Sequence, residues 1–146
     1  MVRQLQHSAH DYAALVNDLY SYQREIEYDV ELHNLVYLTQ SFLGCSREVA
    51  ADIVVDLANE RSRQFELVAR ERLPEFFADH VLPGEVRTAL LGHVDRLRNH
   101  MAGNLHWHTV TGRYSEQALR AFRPKPVITG PLGPFVSVLA DRAGRR

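Results

Sequence analysis

The chain has 146 residues and a mass of 16.7 kDa, which is enough for one domain that buries roughly two thirds of its unfolded surface. Its 17 Lys and Arg residues nearly balance its 18 Asp and Glu residues, so the net charge predicts neither a nucleic-acid partner nor an anionic membrane surface. Because there is one cysteine, no signal-peptide core and no apolar run long enough to cross a bilayer, the sequence predicts a cytoplasmic protein without an internal disulfide framework.

The first predicted element is a long amphipathic helix over residues 5–28. No Pro or Gly interrupts this segment. Its apolar side chains recur at steps of three, four and seven residues, which is the period of a helix with one face on a core. These side chains are Leu5, Ala9, Tyr12, Val16, Leu19 and Ile26.

A short helix and a second long helix follow. The apolar segment 32–43 stops at Gly44, a residue typical of helix C-termini. Ser46 then offers an N-cap with an acidic residue in the first turn. The apolar pattern that follows predicts a helix toward Leu73, which Pro74 ends or bends.

A third long helix is predicted over residues 86–105, after Pro83 and Gly84. From residue 123 onward Pro and Gly replace the helical period, which predicts an extended or disordered tail over 123–146. The sequence therefore predicts an all-α protein of three long helices and one short helix. Residues 1–122 form the helical region, and residues 123–146 form the Pro/Gly-rich tail.

Within the first helix, an amide, a hydroxyl and a carboxylate stand four residues apart, at Asn17, Ser21 and Glu25. Each step of four residues turns an α-helix by only about 40°, so the three side chains share one shallow stripe. The stripe lies roughly opposite the apolar face, and from the residues alone a solvated surface is the simpler interpretation. The chemical alternative is half a cage for Mg²⁺, which prefers oxygen ligands and often shares them with substrate phosphates.

The stripe belongs to a pattern, Asn-Asp-x-x-Ser-x-x-x-Glu with Arg24 before the Glu, that resembles the second metal-binding motif of class I terpene cyclases. The run over residues 17–27, followed by residues 31–34, is most similar to the germacradienol/geosmin synthase branch. This resemblance implies that Asn17, Ser21 and Glu25 ligate one Mg²⁺ and that Arg24 faces the diphosphate of a prenyl substrate. Asp18 is expected to be an orienting hydrogen-bond partner rather than a ligand.

A second constellation, Arg113 and Tyr114, follows Trp107 at the end of the third long helix. An Arg beside a Tyr can bind phosphate through a guanidinium fork and a phenolic donor, although an Arg stacked on an aromatic ring is the commoner use of such a pair. The same resemblance implies that Arg113 and Tyr114 hydrogen-bond the diphosphate.

Other reactive side chains carry weaker signals. His7 and His10 share a helix face, and His100, His106 and His108 lie close in sequence, but none has a partner at a recognised zinc spacing. Cys45 is interpreted as a structural thiol and His33 as a packing or capping residue. Aromatic rings could stabilise carbocations, yet at helical spacing they are more often core or rim residues: Tyr12, Tyr20, Tyr22, Tyr28 and Trp107.

The Asp-rich motif that holds the other metal ions in class I cyclases is missing, because every Asp in this sequence stands singly. The resemblance, over about residues 5–134, therefore implies the C-terminal portion of a helical barrel. A half barrel leaves its cavity open and its apolar residues exposed. The exposed residues predict self-association. Three explanations stay open: a truncated or split gene product, a piece that pairs with a complementary N-terminal cyclase chain, or a descendant that has lost catalysis.

Two functions follow from these expectations. The first is a sesquiterpene cyclase fragment whose parent enzyme ionises and cyclises farnesyl diphosphate with Mg²⁺, a methylated geranyl diphosphate being the alternative substrate. No catalytic residue is assigned. The second is a non-catalytic helical interaction module that binds a partner through its exposed apolar faces.

Overall fold

The computed structural model describes residues 1–121, which form helices and turns without a strand. The predicted tail over 123–146 lies outside these residues. No helix in the described part of the chain is both long and apolar enough to cross a bilayer. The helices are α1 (Val2–Gln23), α2 (Leu35–Leu43), α3 (Arg47–Leu67), α4 (Leu73–Asp79), α5 (Gly84–Val110) and α6 (Glu116–Ala121). The predicted all-α architecture of three long helices and a short one is confirmed by α1, α3, α5 and α2.

Helix α1 is the central element, packing against α3 on one side and α5 on another. One core cluster joins α1 to α3, α4 and α5, with Leu5, Phe65, Leu73 and Met101 among its buried members. A second cluster joins α1 to α2 and α3. Because both clusters draw on α1, the helix that carries the oxygen stripe is held on both sides.

The connection between α2 and α3 is built as the sequence predicts. Gly44 ends α2 with φ of 62°, in the left-handed region where glycine has no Cβ penalty. The Ser46 hydroxyl accepts a hydrogen bond from the Val49 N–H (3.3 Å) and so caps α3. Both caps are therefore confirmed.

The helix predicted over residues 5–28 and the helix predicted toward Leu73 each end in a π-helical segment, a detail that the apolar pattern does not predict. Arg24–Asp29 continues α1 with wider turns, and Val68–Arg72 joins α3 to α4. The second segment ends at Arg72, two residues before Pro74, whose missing N–H removes one hydrogen bond to the preceding turn. The first segment ends at Val30, whose φ of 54° turns the chain toward α2.

Charged side chains connect α3 to α5 at the rim of the first core cluster. The Arg98 guanidinium donates to both carboxylate oxygens of Glu66 (2.9 and 3.3 Å), and Arg70 Nε donates to the same carboxylate (2.7 Å). The hydrogen bond from Arg98 is the main reason that the pKa of the Glu66 carboxyl lies below its usual value. The two-pronged contact fixes the orientation of α5 relative to α3.

Candidate metal and diphosphate site

The oxygen stripe lies at the joint between α1 and its π-helical extension. Asn17 and Ser21 belong to α1, and Glu25 is the second residue of the π-helical segment. The stripe is not the solvated face that the residues alone suggest, because Ser21 is only 2% exposed and the other two side chains are half-buried. The Ser21 hydroxyl has no hydrogen-bond partner among the described residues.

Asn34 holds the Glu25 end of the stripe. Its side chain is fully buried, and its Nδ2 donates to the Glu25 carboxylate (3.0 Å) and to the Asp18 carbonyl (2.8 Å). Its Oδ1 accepts from the N–H groups of Val36 (3.0 Å) and Tyr37 (3.4 Å), which makes Asn34 the N-cap of α2. One amide therefore caps a helix and orients the proposed metal-ligating carboxylate.

Asp18 has a structural partner rather than a place in the stripe. Its carboxylate accepts from the Leu35 N–H (2.8 Å) at the first turn of α2. Burial raises the pKa of the Asp18 carboxyl, the Leu35 N–H lowers it in part, and the negative charge of Glu25 raises it again. Asp18 thus secures α2 against α1.

His33, expected as a packing or capping residue, is exposed, and both its backbone N–H and its Nδ1 contact Glu31 Oε1. That expectation is wrong because the adjacent Asn34 fills the capping position. An Asn directly before an apolar run is a usual N-cap signal, and it could have identified this residue in the sequence.

The Asn17 end of the stripe meets α5 and the turn that follows it. Asn17 Nδ2 lies 3.2 Å from His108 Nε2 and 3.4 Å from the Tyr114 hydroxyl. Tyr114 belongs to a single 3₁₀ turn, Gly112–Tyr114. Its ring stacks parallel to the His108 ring, with 5.8 Å between the ring centres. Residues separated by more than 90 positions therefore meet at the amide of Asn17.

The two arginines implied by the resemblance lie near this site with different partners. Arg24 Nε donates to Asp29 within the π-helical segment (3.4 Å). Arg113 is exposed, and its guanidinium carbon lies 5.9 Å from the centre of the Tyr114 ring. The structure brings Tyr114 into contact with Asn17, while it leaves Arg113 at the open edge of the site.

The remaining histidines form no comparable cluster. His10 and His100 meet edge to face at 6.2 Å across α1 and α5. Within residues 1–121 no group of three or more His, Cys, Asp or Glu side chains is arranged to hold a metal ion. Cys45 is a free, partly buried thiol at the turn between α2 and α3.

The donor set of the stripe fits a hard cation. An amide, a hydroxyl and a carboxylate are oxygen donors of the kind that Mg²⁺ prefers. A buried hydroxyl rarely lacks a hydrogen-bond partner, so the Ser21 Oγ between Asn17 and Glu25 points to a ligand or water at that position. The Asn17 oxygen takes no part in the bonds to His108 and Tyr114, which use the nitrogen.

Comparisons with known proteins identify a related family. Residues 1–64 match the family model described as terpene synthase family 2, C-terminal metal binding. The chain is 32% identical over 120 residues to pristinol synthase from Streptomyces pristinaespiralis, covering 82% of this chain and 32% of the relative. It is 33% identical over 125 residues to isoafricanol synthase from Streptomyces violaceusniger, again covering 82% of this chain and 32% of the relative.

A third relative, (2Z,6E)-hedycaryol synthase from Kitasatospora setae, is 32% identical over 108 residues, or 74% of this chain and 31% of the relative. The chain thus spans about a third of the length of the curated relatives it matches. The matched region contains the whole Asn17–Ser21–Glu25 stripe together with Asn34. Residues 1–64 are therefore identified as the C-terminal metal-binding region of the terpene synthase family, and the chain resembles members of that family over about a third of their length.

Proposed function

We propose that the chain is the C-terminal wall of a class I sesquiterpene synthase site, binding Mg²⁺ through the oxygens of Asn17, Ser21 and Glu25. The single observation that carries this proposal is the buried, unpartnered Ser21 hydroxyl between an amide and a carboxylate. It lies inside the segment that matches the metal-binding family model. Mg²⁺ bound here supplies a Lewis acid for the leaving diphosphate of a prenyl substrate such as farnesyl diphosphate.

The neighbouring side chains suit the substrate diphosphate. Tyr114 brings a phenolic hydroxyl to the Asn17 end of the stripe, and Arg113 extends from the adjacent position into solvent. Arg24 stands beside Glu25 on the π-helical segment. A guanidinium pair and a phenol give charge-assisted bonds to phosphate oxygens, so these three residues are the proposed diphosphate ligands. The germacradienol/geosmin branch, the methylated substrate and the cytoplasmic location stay predictions.

Metal binding can be tested without turnover. We expect the chain to bind Mn²⁺, used as a probe for Mg²⁺, in the presence of inorganic pyrophosphate, as followed by isothermal titration calorimetry. Glu25→Gln should lower this affinity by at least about tenfold, because the ion loses its one negatively charged ligand in this chain. Glu27→Gln changes an exposed carboxylate two residues away and serves as the matched control.

The outcome that contradicts the proposal is an equal loss in both variants, or no metal-dependent binding of pyrophosphate by the unaltered chain. With farnesyl diphosphate, the chain alone is expected to release no diphosphate. The reason is that its sequence has no Asp-rich cluster to hold the other metal ions. Turnover by the chain alone would show that the site is more complete than proposed.

A second candidate function is an interaction module, and the exposed apolar face of α2 favours it. Phe42 is 90% exposed, and Leu38 and Leu43 beside it are also exposed. Together with Leu35 and Ile53 they line an open groove. A continuous apolar surface of this kind usually marks a contact with another protein surface. We propose that a second copy, or a complementary part of a synthase, covers it.

Sedimentation velocity tests this second candidate. The chain is expected to sediment at a mass above 16.7 kDa, and Phe42→Glu is expected to return it to the monomer by placing a charge in the apolar contact. Val81→Glu, at a fully exposed position between α4 and α5, is the matched control. A monomeric unaltered chain at high concentration would exclude self-association and leave only a different partner for this face.

A further inference from the structure

We infer that His108 is a positioning residue, whose ring turns the Asn17 amide so that the amide oxygen, not the nitrogen, is available to a cation. This inference rests on the proposed function of the stripe, since it concerns how one proposed ligand is oriented. The hydrogen bonds of His108 in the described residues go to Asn17 and to the Asn104 carbonyl. They do not include Ser21, Glu25 or the arginines that are proposed to bind phosphate. The effect of His108 is exerted through Asn17.

The tautomer of the ring follows from its two hydrogen bonds. His108 Nδ1 lies 2.8 Å from the Asn104 carbonyl oxygen, one turn earlier in α5. A carbonyl only accepts, so Nδ1 carries the proton and donates. In a neutral imidazole the other nitrogen, Nε2, then presents a lone pair, and this lone pair faces Asn17 Nδ2 at 3.2 Å.

The orientation of the Asn17 amide follows in turn. Its NH₂ group has two N–H bonds and finds two acceptors, His108 Nε2 and the Tyr114 hydroxyl. Turning the amide by 180° would set its oxygen against the Nε2 lone pair, exchanging an attractive contact for a repulsive one. The His108 ring therefore selects the Asn17 rotamer in which the amide oxygen is available to another partner, such as a cation.

The ring can exert this selection because it is itself fixed. His108 is 4% exposed. Three aromatic side chains enclose it: Tyr20 at 5.2 Å, Trp107 edge to face at 4.8 Å, and Tyr114 stacked at 5.8 Å. A partner that orients a metal ligand is effective only when its own rotamer is locked by packing and by a further hydrogen bond. Both conditions are met here.

A simple packing role makes a different prediction, so two substitutions separate the roles. His108→Phe keeps an aromatic ring against Tyr20 and Tyr114 but has no acceptor for Asn17. His108→Gln loses the ring but can place its carbonyl oxygen near the former Nε2 position. If His108 only packs, His108→Phe should bind Mn²⁺ more tightly than His108→Gln. If His108 orients Asn17, His108→Gln should bind Mn²⁺ more tightly than His108→Phe. His106→Phe, on an exposed face of α5, controls for an added ring.

The first measurement is Mn²⁺ affinity in the presence of pyrophosphate, by electron paramagnetic resonance. We expect His108→Phe to lower the affinity by about 10- to 100-fold, as for other partners that orient metal ligands. The Mn²⁺ affinity of His108→Gln should stay within a few-fold of that of the unaltered chain, because the hydrogen bond to Asn17 is retained. The affinity of His106→Phe should equal that of the unaltered chain. The second measurement needs no metal. The Asn17 side-chain amide protons, assigned by their absence from Asn17→Asp, should shift in His108→Phe and be largely restored in His108→Gln.

The outcomes distinguish the inference from the proposed function. Equal Mn²⁺ affinity in the unaltered chain and in His108→Phe would overturn the positioning role and leave the metal site standing. A lower affinity in His108→Gln than in His108→Phe would overturn it in favour of packing. If the unaltered chain binds no Mn²⁺, the proposed function fails and the cation role of Asn17 fails with it. In that case, unshifted amide protons in His108→Phe would show that the contact also has no orienting effect.

Discussion

Replacing Phe65 with alanine is expected to lower the free energy of unfolding by about 3–5 kcal/mol, a large share of the stability of a small domain. The ring is 1% exposed and is the largest fully buried side chain among the described residues. It packs in the cluster that joins α1, α3, α4 and α5. Its removal leaves a cavity that these helices cannot all close at once, so both transfer energy and packing energy are lost.

The Phe65 ring also contacts a charged side chain. The Arg98 guanidinium carbon lies 5.7 Å from the ring centre while the same group binds Glu66. Loss of the ring therefore also loosens the connection between α3 and α5.

Phe42→Ala is the matched control for this prediction, because it makes the same chemical change at a side chain that is 90% exposed. Surface substitutions usually change stability by less than about 0.5 kcal/mol. Urea denaturation at low protein concentration, followed by far-ultraviolet circular dichroism, gives both values. Similar losses in the two variants would contradict the assignment of the Phe65 cluster as the main core.

The helices were predictable because their signals are local. In α1, α3 and α5 the apolar residues recur every three or four positions because one face of each helix contacts a core. Gly44 ends α2 through its own backbone conformation, and Ser46 caps α3 through its own hydroxyl. The π-helical segments gave no such signal. A hydrophobic pattern cannot distinguish an α-helix, in which each N–H bonds the fourth preceding carbonyl, from a π-helix, in which it bonds the fifth. The change from α-helix to π-helix at Arg24 is therefore not predictable from the sequence pattern.

The candidate site was predictable only along α1 itself. The stripe of Asn17, Ser21 and Glu25 follows from helical spacing, but the burial of Ser21 depends on the elements that cover α1. The contact between Asn17 and His108 spans 91 positions, and no local pattern encodes a pair at that separation. The resemblance implies a diphosphate role for Tyr114, whereas His108 is only one of several histidines that lie close in sequence.

Asn34 shows how a local and a distant role combine in one side chain. As an N-cap it was detectable, since Asn precedes an apolar helix, but its bridge to Asp18 and Glu25 depends on the turn that folds α2 back against α1. Such a residue can be expected to stabilise the fold and the site together. Its substitution is therefore the sharpest way to separate the two roles.

Asn34→Ala is expected to lower the free energy of unfolding by about 2–4 kcal/mol, of which the N-cap accounts for about 1. The remainder reflects two partly buried acceptors, the Asp18 carbonyl and the Glu25 carboxylate, that lose their donor. Asn34→Ser retains a capping oxygen but no amide donor, so it should recover only about the capping part. Denaturant titration of both variants measures the difference.

Ser46→Ala gives the value of a cap in this same chain, because Ser46 caps α3 at an exposed position. Two results would contradict the bridging role of Asn34. One is a loss in Asn34→Ala no larger than that in Ser46→Ala, and the other is full recovery in Asn34→Ser. If the expected order holds, the carboxylate of Glu25 is held by a group whose burial also stabilises α2. The N-cap of α2 and the orientation of the proposed metal ligand then depend on the same side chain.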